Sequence, residues 1–158
     1  MGNYFSKLNL NYQIYIPDRR KEGYGPSINS FKELIDNNVK IIFTVDCGTL
    51  SFDAINYANK KNVDVIVLDH HQSEIKLPSA FSIVNPNRLD DKSNLEYLCA
   101  VGVSFMFLVS LNRSLRLSNW FKDNCKSELE YLKHENIPVF WGDDIDYKSK
   151  MIEFITNN

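Results

Sequence analysis

Two short β-branched runs constrain the fold of this chain more tightly than any other feature. Val39–Val45 (VKIIFTV) and Val63–Leu68 (VDVIVL) are nearly continuous in hydrophobicity rather than alternating. That is the pattern of strands covered on both faces in a parallel sheet. Between them, Ser51 stands where it can cap a helix, with Asp53 near the positive end of the helix dipole. Ahead of them, Ser27–Asn37 places Phe31, Leu34 and Ile35 on one helical face. Tyr12–Ile16 (YQIYI) reads as a strand at the front and Phe81–Val84 (FSIV) as a shorter one behind. Strands alternating with helices at this spacing require right-handed crossovers. The expected fold is therefore α/β, a parallel β-sheet with flanking helices.

Each expected strand runs into polar residues. The first meets Pro17-Asp18-Arg19-Arg20, the second Asp46-Cys47-Gly48-Thr49, the third Asp69-His70-His71-Gln72 and the fourth Asn85-Pro86-Asn87-Arg88. The carboxyl ends of parallel strands share one edge, where ligands of open α/β sheets bind. Asp46 alone is equally well explained as a turn residue, and the His70-His71 pair alone as two half-buried imidazoles. At neighbouring strand ends, the two together favour a metal site. Carboxylate and imidazole suit Mn²⁺, Mg²⁺ or a similar divalent ion, and two such ions can stabilise an in-line displacement at phosphorus. Arg19, Arg20 and Arg88 are candidates to hold a phosphate. In Glu22-Gly23-Tyr24-Gly25-Pro26, Tyr24 offers a face for a base and Gly25 a close backbone approach, although the same string is also a plain turn. No Walker-type phosphate loop and no G-x-G-x-x-G fingerprint occurs.

Composition narrows the class further. The chain has 158 residues, enough for about one domain, with 44% apolar and 24% charged residues. Its net charge of −2 excludes nucleic-acid binding by bulk positive charge but leaves room for a local basic patch. Three cysteines without tight spacing argue against a disulfide framework or a structural zinc site and for a reducing cytoplasm. The longest apolar run, Leu98–Leu111, is shorter than the ~18 residues of a membrane span and reads as a buried core helix. The first residues lack the layout of a secretory signal.

Taken in order, the strings IPDRRKEGYGPS, TVDCGTLSF, LDHHQSE, IVNPNR and CAVGVSFMFLVSLNR resemble the DHH phosphoesterase superfamily. Within it they most resemble the RecJ-type exonucleases, and the resemblance covers about residues 1–121. The Asp-His-His triplet also occurs in manganese pyrophosphatases and small-oligonucleotide phosphodiesterases, but the PDR…EGYG and CGTxSF strings do not. The resemblance implies a Rossmann-like DHH domain and a 5′-to-3′ exonuclease acting on single-stranded DNA in repair and recombination, with two Mn²⁺ or Mg²⁺ ions. Asp46 matches the aspartate that bridges the metals, and Asp69, His70 and His71 match the next motif. His70 would be a metal ligand, and His71, with Asp69, would serve the chemistry at the scissile phosphate. Arg19, Arg20, Tyr24 and Gly25 would line the substrate channel, with Asn85 and Arg88 as further substrate contacts.

Two family motifs have no match. The Asp-rich first motif finds no counterpart before Asp18, a stretch without Asp or His, and the fourth finds none after Arg116. Residues 122–158 match nothing in the family and read as helix, strand (Ile137–Trp141) and helix, with Asp143, Asp144 and Asp146 in a solvated turn. The expectation is a partial, truncated DHH domain over residues 1–121, an unassigned segment after it, and an incomplete metal site. The rival readings are a non-catalytic remnant, a subunit of a split enzyme completed by a separate chain carrying the missing motifs, and a DHH phosphoesterase acting on short oligonucleotides.

Overall fold

The β-branched runs become the two longest strands of the sheet. In the computed structural model, which describes residues 1–121, β1 (Ile41–Val45) pairs in parallel with β2 (Asp64–Leu68). On the other side of β2 lies β3 (Ser82–Val84), also parallel, giving the order β1-β2-β3. Val65, Val67 and Leu68 are fully buried, and each such side chain stabilises the fold by roughly 1.5–3 kcal/mol.

Among the described residues five helices accompany the strands: α1 (Gly2–Lys7), α2 (Arg19–Glu22), α3 (Ile28–Asp36), α4 (Phe52–Lys60) and α5 (Ala100–Leu117). Phe31 and Leu34 of α3 join Ala54, Ile55 and Ala58 of α4 in one cluster with Ile42, Val65 and Val67. The start of α3 is fixed by a reciprocal cap, because the Ser27 hydroxyl accepts from the Ser30 N–H and the Ser30 hydroxyl accepts from the Ser27 N–H. Ser51 occupies the N-cap position of α4 but makes no capping bond, while Asp53 sits in the first turn as expected.

Three expectations need correction. Tyr12–Ile16 forms no strand, so the sheet has three strands among the described residues rather than four. A strand needs a ladder partner, and this segment has none among the described residues. Instead, Ile14 and Ile16 face solvent, and Tyr15 packs against the core with its hydroxyl donating to Glu22 Oε2 at 2.9 Å. Nor is β1 covered on both faces among the described residues: Ile42 and Thr44 are buried, while Ile41 and Val45 are exposed. Phe43, on that more open face, meets the rings of Phe5 and Phe107. Finally, α5 continues past Leu111 to 18 residues and is long and apolar enough to cross a membrane by length and composition. Among the described residues it is buried only at Ala100, Gly102, Val103 and Ser104, the start of a stripe that packs toward β2. The helix, strand and acidic turn expected within residues 122–158 lie outside the described residues.

Candidate metal centre

Register decides which polar residues meet. Val45 is paired with Leu68, and Leu68 with Val84. The residues that follow these partners, Asp46, Asp69 and Asn85, therefore leave the sheet at one level along its carboxyl edge. Asp46 adopts a left-handed backbone (φ 63°), which Asp tolerates better than most residues, and its N–H still bonds to the Leu68 carbonyl at 3.0 Å. Two residues on, Gly48 (φ 113°) lets the chain turn tightly over the sheet, where a Cβ would overlap Thr44 Oγ1.

At the centre of this edge lies Asp69, only 2% exposed. Its Oδ2 accepts from the Thr49 N–H at 3.0 Å. Its Oδ1 accepts from the N–H groups of His70 (2.8 Å) and His71 (3.2 Å) and from His71 Nδ1 at 2.7 Å. Burial alone would push the carboxyl up, but the hydrogen bonds from His71, Thr49 and the His70 backbone outweigh it and hold Asp69 at about 2. Asp69 is thus an ionised acceptor at neutral pH, and a carboxylate facing Nδ1 assigns the ring proton to that nitrogen.

In front of Asp69 stand the exposed groups. His70 Nε2 lies 3.1 Å from Asp46 Oδ1, and the two imidazole rings are 4.7 Å apart between centroids. Asp46, His70 and His71 each offer a ligand atom, and these atoms all lie within 4.8 Å of one another. The set is one carboxylate oxygen and two imidazole nitrogens, which suits Mn²⁺ or a similar divalent ion. Cys47, although adjacent, does not join as a thiolate: burial first, then the charges of Asp69 and Asp46, push its thiol up to about 11.

The remaining candidates divide into those on the rim and those behind it. The Tyr24 hydroxyl lies 3.1 Å from His71 Nε2, and the Arg19 guanidinium sits 5.6 Å from the centre of the Tyr24 ring. Gly25 (φ 78°) follows Tyr24 in the same loop. Arg20 is exposed, and its guanidinium has no partner among the described residues. Asn85 is not on the rim. It is buried, its Nδ2 donates to Thr49 Oγ1 and to the His71 carbonyl (2.9 Å each), and its Oδ1 accepts from the Asn87 N–H. Arg88 is likewise committed within the chain, forked onto Asp90 and bonded to the Ile83 carbonyl. Two residues that sequence reasoning passed over complete the frame. Thr49 ties Asp69 to Asn85, and the Asn87 amide donates to the His70 carbonyl. Both lie inside the CGT and NPN strings, so the strings themselves were the available signal.

A model of the DHH family's N-terminal domain matches residues 1–133. The chain belongs to the DHH family. Among DHH-family relatives, it is 36% identical over 99 residues to the single-stranded-DNA-specific exonuclease RecJ of Bacillus subtilis (strain 168), covering 63% of this chain and 13% of the relative. With the corresponding exonuclease of Escherichia coli (strain K12) it shares 34% identity over 113 residues, covering 72% of this chain and 20% of that one. A crystal structure of exonuclease RecJ bound to manganese superimposes with a TM-score of 0.63 at 27% identity, covering 72% of this chain and 28% of the other. The DHH-family chain thus spans a fifth or less of the length of these sequence relatives.

Proposed function

We propose that this chain supplies the metal-binding edge of an exonuclease that degrades single-stranded DNA from 5′ ends during repair and recombination, in the cytoplasm, with Mn²⁺ or Mg²⁺ as its ion. The observation that carries this reading is the convergence of Asp46, His70 and His71 within 4.8 Å at the carboxyl edge of a DHH-family sheet. The donor set fits a divalent ion, since it offers a carboxylate oxygen and imidazole nitrogens, and burial first of all keeps the neighbouring Cys47 thiol protonated. When bound, such an ion polarises a phosphoryl oxygen and lowers the pKa of an attacking water.

The chain's own residues divide the remaining work. Asp46 and His70 hold the ion. His71, its Nδ1 fixed by Asp69, presents Nε2 to the phosphate. Arg19 and Arg20 give the anionic backbone cationic partners, Tyr24 gives a base a surface to stack on, and Gly25 lets the strand pass close. Asn85 and Arg88 serve the same site from behind by holding the loops that carry it.

At most three candidate donor atoms lie together among the described residues, and that favours a more specific reading. A divalent ion of this kind takes about six ligands, and a pair of ions needs several shared carboxylates. We infer that turnover requires further carboxylates beyond the described residues, from a separate chain or another segment. Thermal unfolding with and without Mn²⁺ tests the site. At 100 times the dissociation constant, Mn²⁺ stabilises by about 2.7 kcal/mol, and Asp46→Ala abolishes the gain. An undiminished gain in Asp46→Ala refutes the assignment. Mn²⁺-dependent nucleotide release by the chain alone, lost in the same variant, refutes the need for further carboxylates.

A further inference from the structure

The two imidazoles of the rim are not held alike. His71 is fixed through its ring, because Nδ1 bonds to the Asp69 carboxylate at 2.7 Å. A metal-ligating imidazole is ordinarily aimed in that way, by a bond to the ring nitrogen that does not touch the ion. His70 lacks such a bond: Nε2 faces Asp46 Oδ1, and Nδ1 has no partner among the described residues. What aims His70 therefore acts on its backbone. Its N–H donates to Asp69 Oδ1 at 2.8 Å, and its carbonyl accepts from Nδ2 of Asn87.

Resting on the metal-centre reading above, we propose that Asn87 is the positioning residue of His70, one arm of a two-asparagine clamp that grips the His70-His71 dipeptide by its carbonyls. The other arm is Asn85, whose Nδ2 donates to the His71 carbonyl at 2.9 Å. The arms are joined, since Asn85 Oδ1 accepts from the Asn87 N–H at 2.8 Å, and Pro86 between them restricts the backbone that sets their spacing. Asn85 is anchored in turn to Thr49 Oγ1. The clamp matters most for His70. If its own arm opened, the His71 ring would still be aimed by Asp69, whereas His70 depends on its backbone bonds alone. The loop after β3 thereby governs an ion held by residues that follow β1 and β2. Asn87 is half-buried and Asn85 buried, so the arm on His70 can be removed with the smaller disturbance of the fold.

Asn87→Ala removes the donor to His70 and leaves every candidate ligand atom of the rim in the chain. Loss of a bond that orients a metal ligand weakens metal binding by about 10–100-fold, and this bond acts through the backbone rather than the ring, so the lower end applies. Mn²⁺ affinity by calorimetric titration should therefore fall about tenfold. The control is Val63→Ala, a core truncation just before β2, at the other end of the sheet from the rim. It should lower the urea midpoint and leave Mn²⁺ affinity unchanged. Unchanged affinity in Asn87→Ala, with binding still lost in Asp46→Ala, overturns the positioning role and leaves the metal centre standing. An equal fall in Val63→Ala also overturns it, because affinity would then follow overall stability. No Mn²⁺ binding by the wild type overturns both. Should Asn87→Ala fail to fold, Asn87→Ser, whose hydroxyl ends one bond short of the amide nitrogen, takes its place with the same expected loss and the same refuting results.

Discussion

Asp69→Asn is the substitution that most directly tests the buried frame. The change keeps the shape of the side chain and removes its charge, leaving one oxygen and one NH₂ where two acceptor oxygens stood. With the amide oxygen in the Oδ1 position, the three bonds from His70 and His71 survive in neutral form, and the new NH₂ confronts the Thr49 N–H. An orphaned buried donor of that kind costs about 1–3 kcal/mol. The alternative amide orientation is worse, because it orphans three donors instead of one. The ionisation offers a second route to the size of the effect. A carboxyl held at about 2, against 3.8 when free, contributes about 2 kcal/mol of stability at neutral pH. The two figures count some of the same bonds, so they are not added, and the expected loss is about 3 kcal/mol. The sign with pH follows from the direction of the shift. The folded pKa is depressed, so the stabilisation is fully present above the free value near 3.8 and disappears as pH falls through about 2. Urea unfolding of wild type and variant at neutral pH and again near pH 2 provides the assay. The difference between them should be about 3 kcal/mol at neutral pH and shrink steadily over the acid range. A loss under about 1 kcal/mol, or a difference that grows on acidification, refutes the account of Asp69 as an ionised, fully bonded carboxylate.

Gly48→Ala forces a side chain into a left-handed backbone and against Thr44 Oγ1, with Val67 Cγ1 at 3.2 Å, and should cost about 2 kcal/mol or more in urea unfolding. A cost within about 0.5 kcal/mol would show that the loop after β1 relaxes freely. Arg20→Ala should leave the melting temperature unchanged while reducing the salt dependence of single-stranded DNA binding, the log–log slope falling by about 0.7 for one lost phosphate contact. Arg88→Ala should do the reverse, because its guanidinium is held by Asp90 and the Ile83 carbonyl. Its expected signature is a melting temperature lowered by up to about 8 °C with the salt slope preserved, and a fall in that slope would return Arg88 to the phosphate-contacting set.

Periodicity made the sheet legible. Runs such as VDVIVL can hardly fold in any other way, and their parallel pairing places Asp46 beside Asp69-His70-His71 without further assumption. Tyr12–Ile16 misleads because β-branched and aromatic residues report only suitability for a strand, whereas a strand also needs a neighbour with open hydrogen-bonding groups. The apolar stretch that becomes α5 misleads for a related reason. Hydrophobicity marks what can be buried, and among the described residues only the helix start is buried, while Phe107 further along meets Phe43 on the more open face. Roles within the site were less legible than its location. Asn85 and Arg88 carry the same donor groups as any substrate-binding Asn or Arg, and only the fold reveals that those donors are already engaged. Thr49 contributes a backbone N–H to Asp69, a contribution that no side-chain pattern can announce.

The site therefore has two layers with different physical duties. Asp69, Thr49 and Asn85 are buried and mutually bonded, so any change there disturbs the fold together with the rim it supports. Asp46, His70, His71 and Tyr24 are exposed or half-exposed, and a group in that position can be altered with little effect on stability. This division explains how a short sheet tolerates a cluster of polar residues at its end. The buried carboxylate is stabilised by donors that the chain turn itself supplies, from the N–H groups of Thr49, His70 and His71. The carboxylate in turn fixes the tautomer of the ring in front of it. Orientation of His71 is thus set by the fold before any ligand arrives, and the geometry of the rim is inherited from the register of three strands.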